Sequence, residues 1–206
     1  MSTDIQLEKI PWNKGRLTGQ KKALKLPEIL KVRFLLELKP CARELAMFSL
    51  AIDSKLRGCD LVKLRVSDVM HGGRVSKRAT VIQQKTGKPV TFEIATEARK
   101  SLTLWIEEAQ LGFHDFLFQS RTKHSDHIST RQYARIVNGW IESIGLDPED
   151  YGTHSLRRTK ASLIYKRTHN LRAVQLLLGH TKIESTVRYL GVDIDDALVL
   201  AEETKI

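Results

Sequence analysis

The residues with the clearest chemical potential lie late in the chain, in Thr153-His154-Ser155-Leu156-Arg157-Arg158-Thr159. With Thr153 as a helix N-cap, His154 is the first helical residue and Arg157 follows one turn on, so imidazole and guanidinium are close neighbours. Unpaired backbone N–H groups and the positive end of the helix dipole point the same way. Together these groups suit a phosphate or another oxyanion. A surface helix start with solvated basic side chains would read the same, because a lone H-x-x-R is a weak motif.

A second imidazole stands in Leu176-Leu177-Leu178-Gly179-His180-Thr181. An apolar helix ends at the glycine, and His180 occupies the tight corner before the next helix. Tyr189 lies nine residues further on, two turns into that helix. Its phenol, with a pKa of about 10, would act as a nucleophile only if cations or a base activated it. Otherwise a tyrosine there packs as an amphipathic side chain. Two charges complete the set. Asp60 follows Arg57 by three residues, just past a helix, and is placed to hold the guanidinium in a fixed orientation. Lys85 occupies the tip of a Gly-containing hairpin as a mobile cation. Taken singly, each would be a surface charge.

Other chemistries find less support. His114, His124 and His127 lie close to Asp115 and Asp126, but their spacing matches no zinc motif and no cysteine is near, so no metal site is expected. Neither GxxxxGK[ST] nor GxGxxG occurs, so any reaction must run without a nucleotide.

The elements that must position these side chains are mostly helical. Residues 1–26 read as a basic flexible arm, with Lys14, Arg16, Lys21, Lys22 and Lys25 among glycines. Pro27 opens a helix carrying Ile29, Val32, Leu35 and Leu36 at helical spacing. A second helix includes the uncharged run Leu45–Ile52, and a short helical piece surrounds Asp60 to Leu64. Gly72-Gly73 opens a strand pair in which Ala79, Val81 and Gln83 alternate with Thr80, Ile82 and Gln84. Thr86-Gly87-Lys88 turns it, and Pro89 to Ile94 returns. Thr96 is expected to cap a helix to about Gln110. Ser129 with Gln132, and Thr181 with Glu184, have capping-box spacing. The helix from Ser129 places Arg131 and Arg135 near its start. The fold class is mainly α with one small antiparallel β-sheet.

Composition narrows the function further. The 206 residues include 34 Lys and Arg against 24 Asp and Glu, a formal net charge of +10, and the pI is near 9.7. Residues 1–100 hold 21 basic against 10 acidic side chains. The stretch after Gly191 is acidic, with Asp193, Asp195, Asp196, Glu202 and Glu203. A basic body suggests a polyanionic partner. No apolar run approaches the roughly 20 residues of a spanning helix. Met1-Ser2-Thr3-Asp4 does not begin a secretory signal. Cys41 and Cys59 form no CxxC, which fits a reducing, cytoplasmic setting.

In this order the pieces resemble the tyrosine recombinase (phage integrase) catalytic domain. The resemblance rests on Arg57 in L-R-x-x-[DE]-L, Lys85 on a hairpin, His154 and Arg157 in H-x-[LM]-R-[RH]-[ST], His180 in L-[GH]-[HW], and Tyr189 nine residues later. It spans about residues 27 to 200. It implies strand exchange on double-stranded DNA through a 3′-phosphotyrosine made by Tyr189. Arg57 and Arg157 would hold the non-bridging oxygens, and Lys85 would protonate the leaving 5′-oxygen. His154 would be base or hydrogen-bond partner to Tyr189, and His180 a donor to phosphoryl oxygen. No cofactor or metal is implied. The family acts as a homo-oligomer, a tetramer, on DNA, in some cases with accessory DNA-bending proteins. Lys14, Arg16, Lys21, Lys22, Arg131 and Arg135 would contact DNA, and no membrane is involved. The resemblance assigns residues 27–191 to the catalytic domain and 192–206 to a C-terminal helix or tail that docks on a neighbouring subunit. With only a short basic arm before the catalytic fold, the chain looks like the stand-alone members, similar in size to the fimbrial phase-switch invertases. A non-catalytic DNA-binding regulator and a topoisomerase IB-like nicking-resealing enzyme remain as alternatives.

Overall fold

The computed structural model describes residues 20–39, 41–121, 125–191 and 202. Helix α1 (Leu26–Leu38) has Pro27 in its first turn, and Glu28 accepts the Lys25 backbone N–H at 2.7 Å. Ile29, Val32 and Leu36 turn inward. Helix α2 (Ala42–Ser54) is buried from Ala46 to Ser54, because α1, α5 (Thr96–Glu108) and α7 (Thr153–Thr168) pack around it. Buried on every side over this stretch, α2 forms the core axis. Helix α6 (Thr130–Ser143) is capped by Ser129, whose hydroxyl accepts the Gln132 N–H. It seals the core with Tyr133, Val137 and Trp140. The Trp140 ring meets Phe48 edge-on, and its Nε1 donates to Glu44 at 2.8 Å.

The short helices α3 (Gly58–Leu61) and α4 (Val66–Val69) lead into two antiparallel ladders instead of the one expected. Strands β1 (Met70–His71) and β2 (Arg74–Val75) make a hairpin of their own. Gly72 and Gly73, at φ +58° and +73°, form its turn; two successive positive φ values favour this pair of glycines. The expected hairpin follows as β3 (Arg78–Ile82) and β4 (Pro89–Glu93), with Thr80 opposite Thr91.

Three helix starts differ from expectation. Ala95, not Thr96, is the cap of α5. Gly152 precedes α7, and its N–H goes to the Ser155 hydroxyl at 3.1 Å, so Thr153 lies inside the first turn. Helix α9 (Ile183–Leu190) is capped by Lys182 rather than Thr181. Between them α8 (Leu171–Leu178) ends at Gly179.

The end of the basic arm is fastened to the body. Lys22 N–H donates to the Asp150 carbonyl at 2.9 Å and Leu24 N–H to the Thr159 hydroxyl at 2.9 Å. Leu24 is buried. Among the described residues no helix is long and apolar enough to cross a membrane.

Candidate active site

Arg57 is set by the end of α2. The chain leaves that helix through Lys55 in the left-handed region, φ +55°, and Arg57 then caps α3. The Arg57 guanidinium donates from Nη1 to Gln83 Oε1 at 2.8 Å. Asp60 does not hold it, contrary to the sequence expectation. Asp60 Oδ1 instead accepts the Gln84 backbone N–H at 2.9 Å, at the base of the turn that carries Lys85. Its Oδ2 is buried without a hydrogen-bond partner. The negative charge of Asp60 favours the ionised Arg157.

Arg157 is 2% exposed in the first turns of α7. Two backbone carbonyls fix its fork: Nη1 donates to Lys55 O, and Nη2 donates to Leu178 O at 2.7 Å. Burial pushes its pKa down, and the positive charge of Arg57 adds to the shift. His154 lies on the exposed side of the same helix start. Desolvation, then the charges of Arg157, Arg158, Arg57 and Lys85, lower its pKa. Lys85 is exposed in the turn between β3 and β4, and its charge reaches His154.

His180 stands at the corner between α8 and α9. Its Nδ1 lies 3.1 Å from the Thr186 hydroxyl, and burial with Arg157 and Arg57 lowers its pKa to about 4. Its ring meets the Tyr189 ring edge-on, centroids 5.4 Å apart. The guanidinium carbons of Arg157 and Arg158 lie 5.9 and 4.9 Å from the Tyr189 ring centroid. The Tyr189 hydroxyl donates to the His154 backbone carbonyl at 3.4 Å. Burial raises the phenol pKa, while Arg157, Arg158 and Arg57 oppose that rise. Arg57, Lys85, His154, Arg157, His180 and Tyr189 therefore converge on one region, drawn from α3, one hairpin tip, α7, the α8–α9 corner and α9.

The model of the phage integrase family matches residues 31–195. The chain belongs to that family. The probable integrase/recombinase YoeC of Bacillus subtilis (strain 168) is 30% identical over 154 residues, which are 74% of this chain and 80% of that protein. Tyrosine recombinase XerC of Chromobacterium violaceum is 31% identical over 153 residues, 74% of this chain and 49% of that protein, so the chain spans about half of that relative. The crystal structure of the XerH site-specific recombinase bound to difH, a pre-cleavage complex, superposes with TM-score 0.69 at 22% identity. It covers 96% of this chain and 56% of that one, and shares the fold.

The residues proposed for DNA contact are distributed differently from the catalytic set. Arg131 and Arg135 are exposed one turn apart on α6. Lys21 donates to the Glu149 carbonyl, and Lys22 pairs with Asp150 at 2.6 Å. Lys14 and Arg16 lie outside the described residues, as does His124. His127 bonds the Ile128 carbonyl and meets the Phe116 ring at a tilt, while His114 meets the Phe113 ring edge-on.

Sequence reasoning missed the polar residues that hold these groups. Gln83 is the partner of Arg57. Gln175 clamps the His180 corner: its Nε2 donates to the carbonyls of His180 at 3.1 Å and Thr181 at 3.2 Å. Lys55, 0% exposed, supplies the carbonyl for Arg157. The signal was a glutamine in the inward register of β3, beside Ala79 and Val81, where an unpaired amide would be costly.

Proposed function

We propose that the chain is a site-specific DNA recombinase of the integrase, invertase or resolvase type, cutting and rejoining double-stranded DNA through a 3′-phosphotyrosine. The observation that carries this reading is the placing of Tyr189 between His180 and the arginines of α7. A phenol needs neighbouring positive charge to become a nucleophile, and a protein that only bound DNA would need no such arrangement. Family membership supports the same reading.

Tyr189 Oη attacks the scissile phosphorus. The Oη–P bond forms and the P–O5′ bond breaks. The phenolic proton passes to a base, the role assigned to His154, whose depressed pKa leaves its ring neutral and able to accept. Lys85 delivers a proton to the departing O5′. Arg57 and Arg157 donate to the non-bridging oxygens, where planar forked donors stabilise charge that grows in the transition state. His180 is neutral, its Nδ1 lies beside the Thr186 hydroxyl, and in the tautomer with the proton on Nε2 it would donate to a phosphoryl oxygen. Rejoining reverses these steps with the 5′-hydroxyl of the partner strand. The phosphotyrosine keeps the bond energy, so no nucleotide is needed.

The proposal includes assembly as a homo-oligomer, a tetramer, on DNA in a reducing cytoplasm, with phosphate contacts from Arg131 and Arg135 that set position rather than sequence. The acidic residues 192–206 are its subunit-docking element. The groove between α8 and α9, lined by Arg172, Lys182 and Arg188 against Glu184, carries a net positive charge.

Covalent capture tests the reading. The protein is incubated with fragmented DNA of its source organism and denatured, and the attached DNA is sequenced, with Tyr189→Phe in parallel. Adducts on a few related sequences, absent with Tyr189→Phe, are expected. Scattered adducts would favour the topoisomerase-like enzyme. DNA retained before denaturation but no adduct would favour the binding protein.

A further inference from the structure

Gln83 is 1% exposed at the end of β3. Its backbone already closes the hairpin: the N–H donates to Lys88 O at 2.9 Å, and the carbonyl accepts Gly87 N–H at 2.8 Å. An apolar residue would close the turn equally well, so hairpin formation does not explain the side-chain amide. That amide reaches three other segments. Oε1 accepts Arg57 Nη1 at 2.8 Å and the Thr86 hydroxyl, next to Lys85, at 3.0 Å. Nε2 points to the Leu178 carbonyl at 3.4 Å, the same oxygen that receives Arg157 Nη2. The opposite amide orientation would set an N–H against the Arg57 donor and an oxygen against a carbonyl, so the contacts fix the flip. The backbone of α8 comes close as well. A Cβ on Gly179 would stand 3.1–3.3 Å from the Gln83 amide.

We propose that Gln83 is a positioning residue that locks Arg57, the Lys85 turn and the Leu178 carbonyl under Arg157 into one frame, so that both arginines and the leaving-group acid address the same phosphate. This inference rests on the recombinase reading. The amide touches neither substrate nor nucleophile; it acts through the groups it orients.

The test compares Gln83→Met, of similar volume without the amide, with Lys85→Ala, Arg57→Ala and wild type. The substrate is a duplex bearing a target site recovered by covalent capture, made with either the natural 5′-oxygen or a 5′-sulfur at the scissile bond. A departing thiolate needs no proton, so the sulfur substrate bypasses Lys85. Lys85→Ala therefore recovers on sulfur, and Arg57→Ala does not. Gln83→Met is expected to cleave the oxygen substrate about 100-fold more slowly, at the scale of losing one transition-state donor. On sulfur it should recover in part, since its defect combines both effects. DNA retention should be unchanged at temperatures well below the transition, and melting should fall by about 6–12 °C, as for the loss of three hydrogen bonds. Wild-type rates for Gln83→Met would overturn the proposal. So would full recovery on sulfur, or none, because each would uncouple the two effects.

A second measurement uses no DNA. The Arg57 side-chain N–H signals in nitrogen-15-labelled protein should be sharp in wild type and exchange-broadened in Gln83→Met. Unchanged signals would overturn the positioning role. A wild-type protein that forms no adduct, with Arg57 signals that still respond to Gln83→Met, would refute the recombinase reading and uphold the positioning role.

Discussion

Replacing Glu93 with alanine isolates the device that holds Arg157 from behind. Lys55 has a side chain with 0% exposure, and its ammonium lies 2.9 Å from Glu93 Oε2 and 3.0 Å from Oε1, with the Asp53 carbonyl as a further acceptor. Lys160 joins Glu93 at 2.7 Å and Asp53 at 2.6 Å. Burial pushes the Lys55 pKa down, the Glu93 carboxylate raises it, and Lys160 lowers it again. Without that carboxylate, the buried ammonium keeps one hydrogen-bond acceptor, the Asp53 carbonyl, and shares the Asp53 carboxylate's charge with Lys160. Breaking one side of a buried pair costs about 3–5 kcal/mol. The Glu93 side chain is 35% exposed, so water can partly replace it, and we take the lower figure, about 3 kcal/mol. At about 2–4 °C per kcal/mol for a chain of this size, the melting temperature should fall by about 6–12 °C. Urea unfolding at neutral pH measures the free energy directly. Lys55→Met combined with Glu93→Ala should recover at least about 1.5 kcal/mol, because an apolar side chain leaves no charge to desolvate. A loss below about 1 kcal/mol, the range of surface ion pairs, or strict additivity in the double variant would refute the reasoning. Because the Lys55 carbonyl holds Arg157, DNA cleavage by Glu93→Ala should fall further than its folded fraction does.

The other predictions concern the site itself. His180 has a folded pKa near 4 and an unfolded value of about 6.5. Between these values the unfolded chain binds more protons, so the stability contribution is complete above about pH 6.5 and is lost as pH falls towards 4. Its ceiling is about 3 kcal/mol, reduced by the part-exposed ring. His180→Asn should flatten this limb in unfolding experiments from pH 4.5 to 7, and an unaltered limb would show that other groups carry it. Gly179→Ala forces a side chain onto φ +64° and against the Gln83 amide. It should cost about 1–2 kcal/mol of stability and lower cleavage more than that loss explains, whereas wild-type stability and rate together would contradict the packing argument. Tyr189→Phe removes a long hydrogen bond of 3.4 Å to the His154 carbonyl and the hydroxyl's interactions with the Arg157 and Arg158 guanidinium groups. Its stability should stay within about 1.5 kcal/mol of wild type, so missing adducts cannot be traced to unfolding.

The sequence made the local framework legible because local chemistry specifies it. Ser129 caps α6 through the Gln132 amide as its spacing suggested, and Pro27 opens α1. The errors arose where a longer-range partner decides. Thr181 looked like a cap, but its carbonyl and that of His180 are held by Gln175, and the helix starts after Lys182. Asp60 was paired with Arg57 because they are neighbours in the chain, yet its partner is the amide of Gln84, in the following hairpin. The β1–β2 ladder is two residues long on each side, too short for alternation to show. Lys55, two residues after Asp53 at the end of α2, carries no local signal of its burial. Only the fold reveals that Glu93 and Lys160 meet it there.

These supporting residues matter because the cationic and imidazole members of the catalytic set do not stabilise one another's charge. Arg57 acts on the pKa of Arg157, His180 and His154 in the same direction, always against a second positive charge. Left to themselves, such groups would spread apart and lose the geometry that two forked donors need. Backbone carbonyls of Lys55 and Leu178, the Gln83 amide and the Thr186 hydroxyl hold them instead. All are neutral acceptors or dipoles, which fix a cation without cancelling its charge. A carboxylate in the place of Gln83 would hold Arg57 as firmly and would neutralise the field that a pentavalent phosphorus requires. The fully ionic pairing of Lys55, Lys160, Asp53 and Glu93 is set behind the site, where it anchors the frame. Apart from Asp60, whose carboxylate braces the Lys85 turn and favours the charged Arg157, the division is between neutral supports in front and salt bridges behind, which suits a site built for a phosphodiester: positive charge kept concentrated, and kept in place.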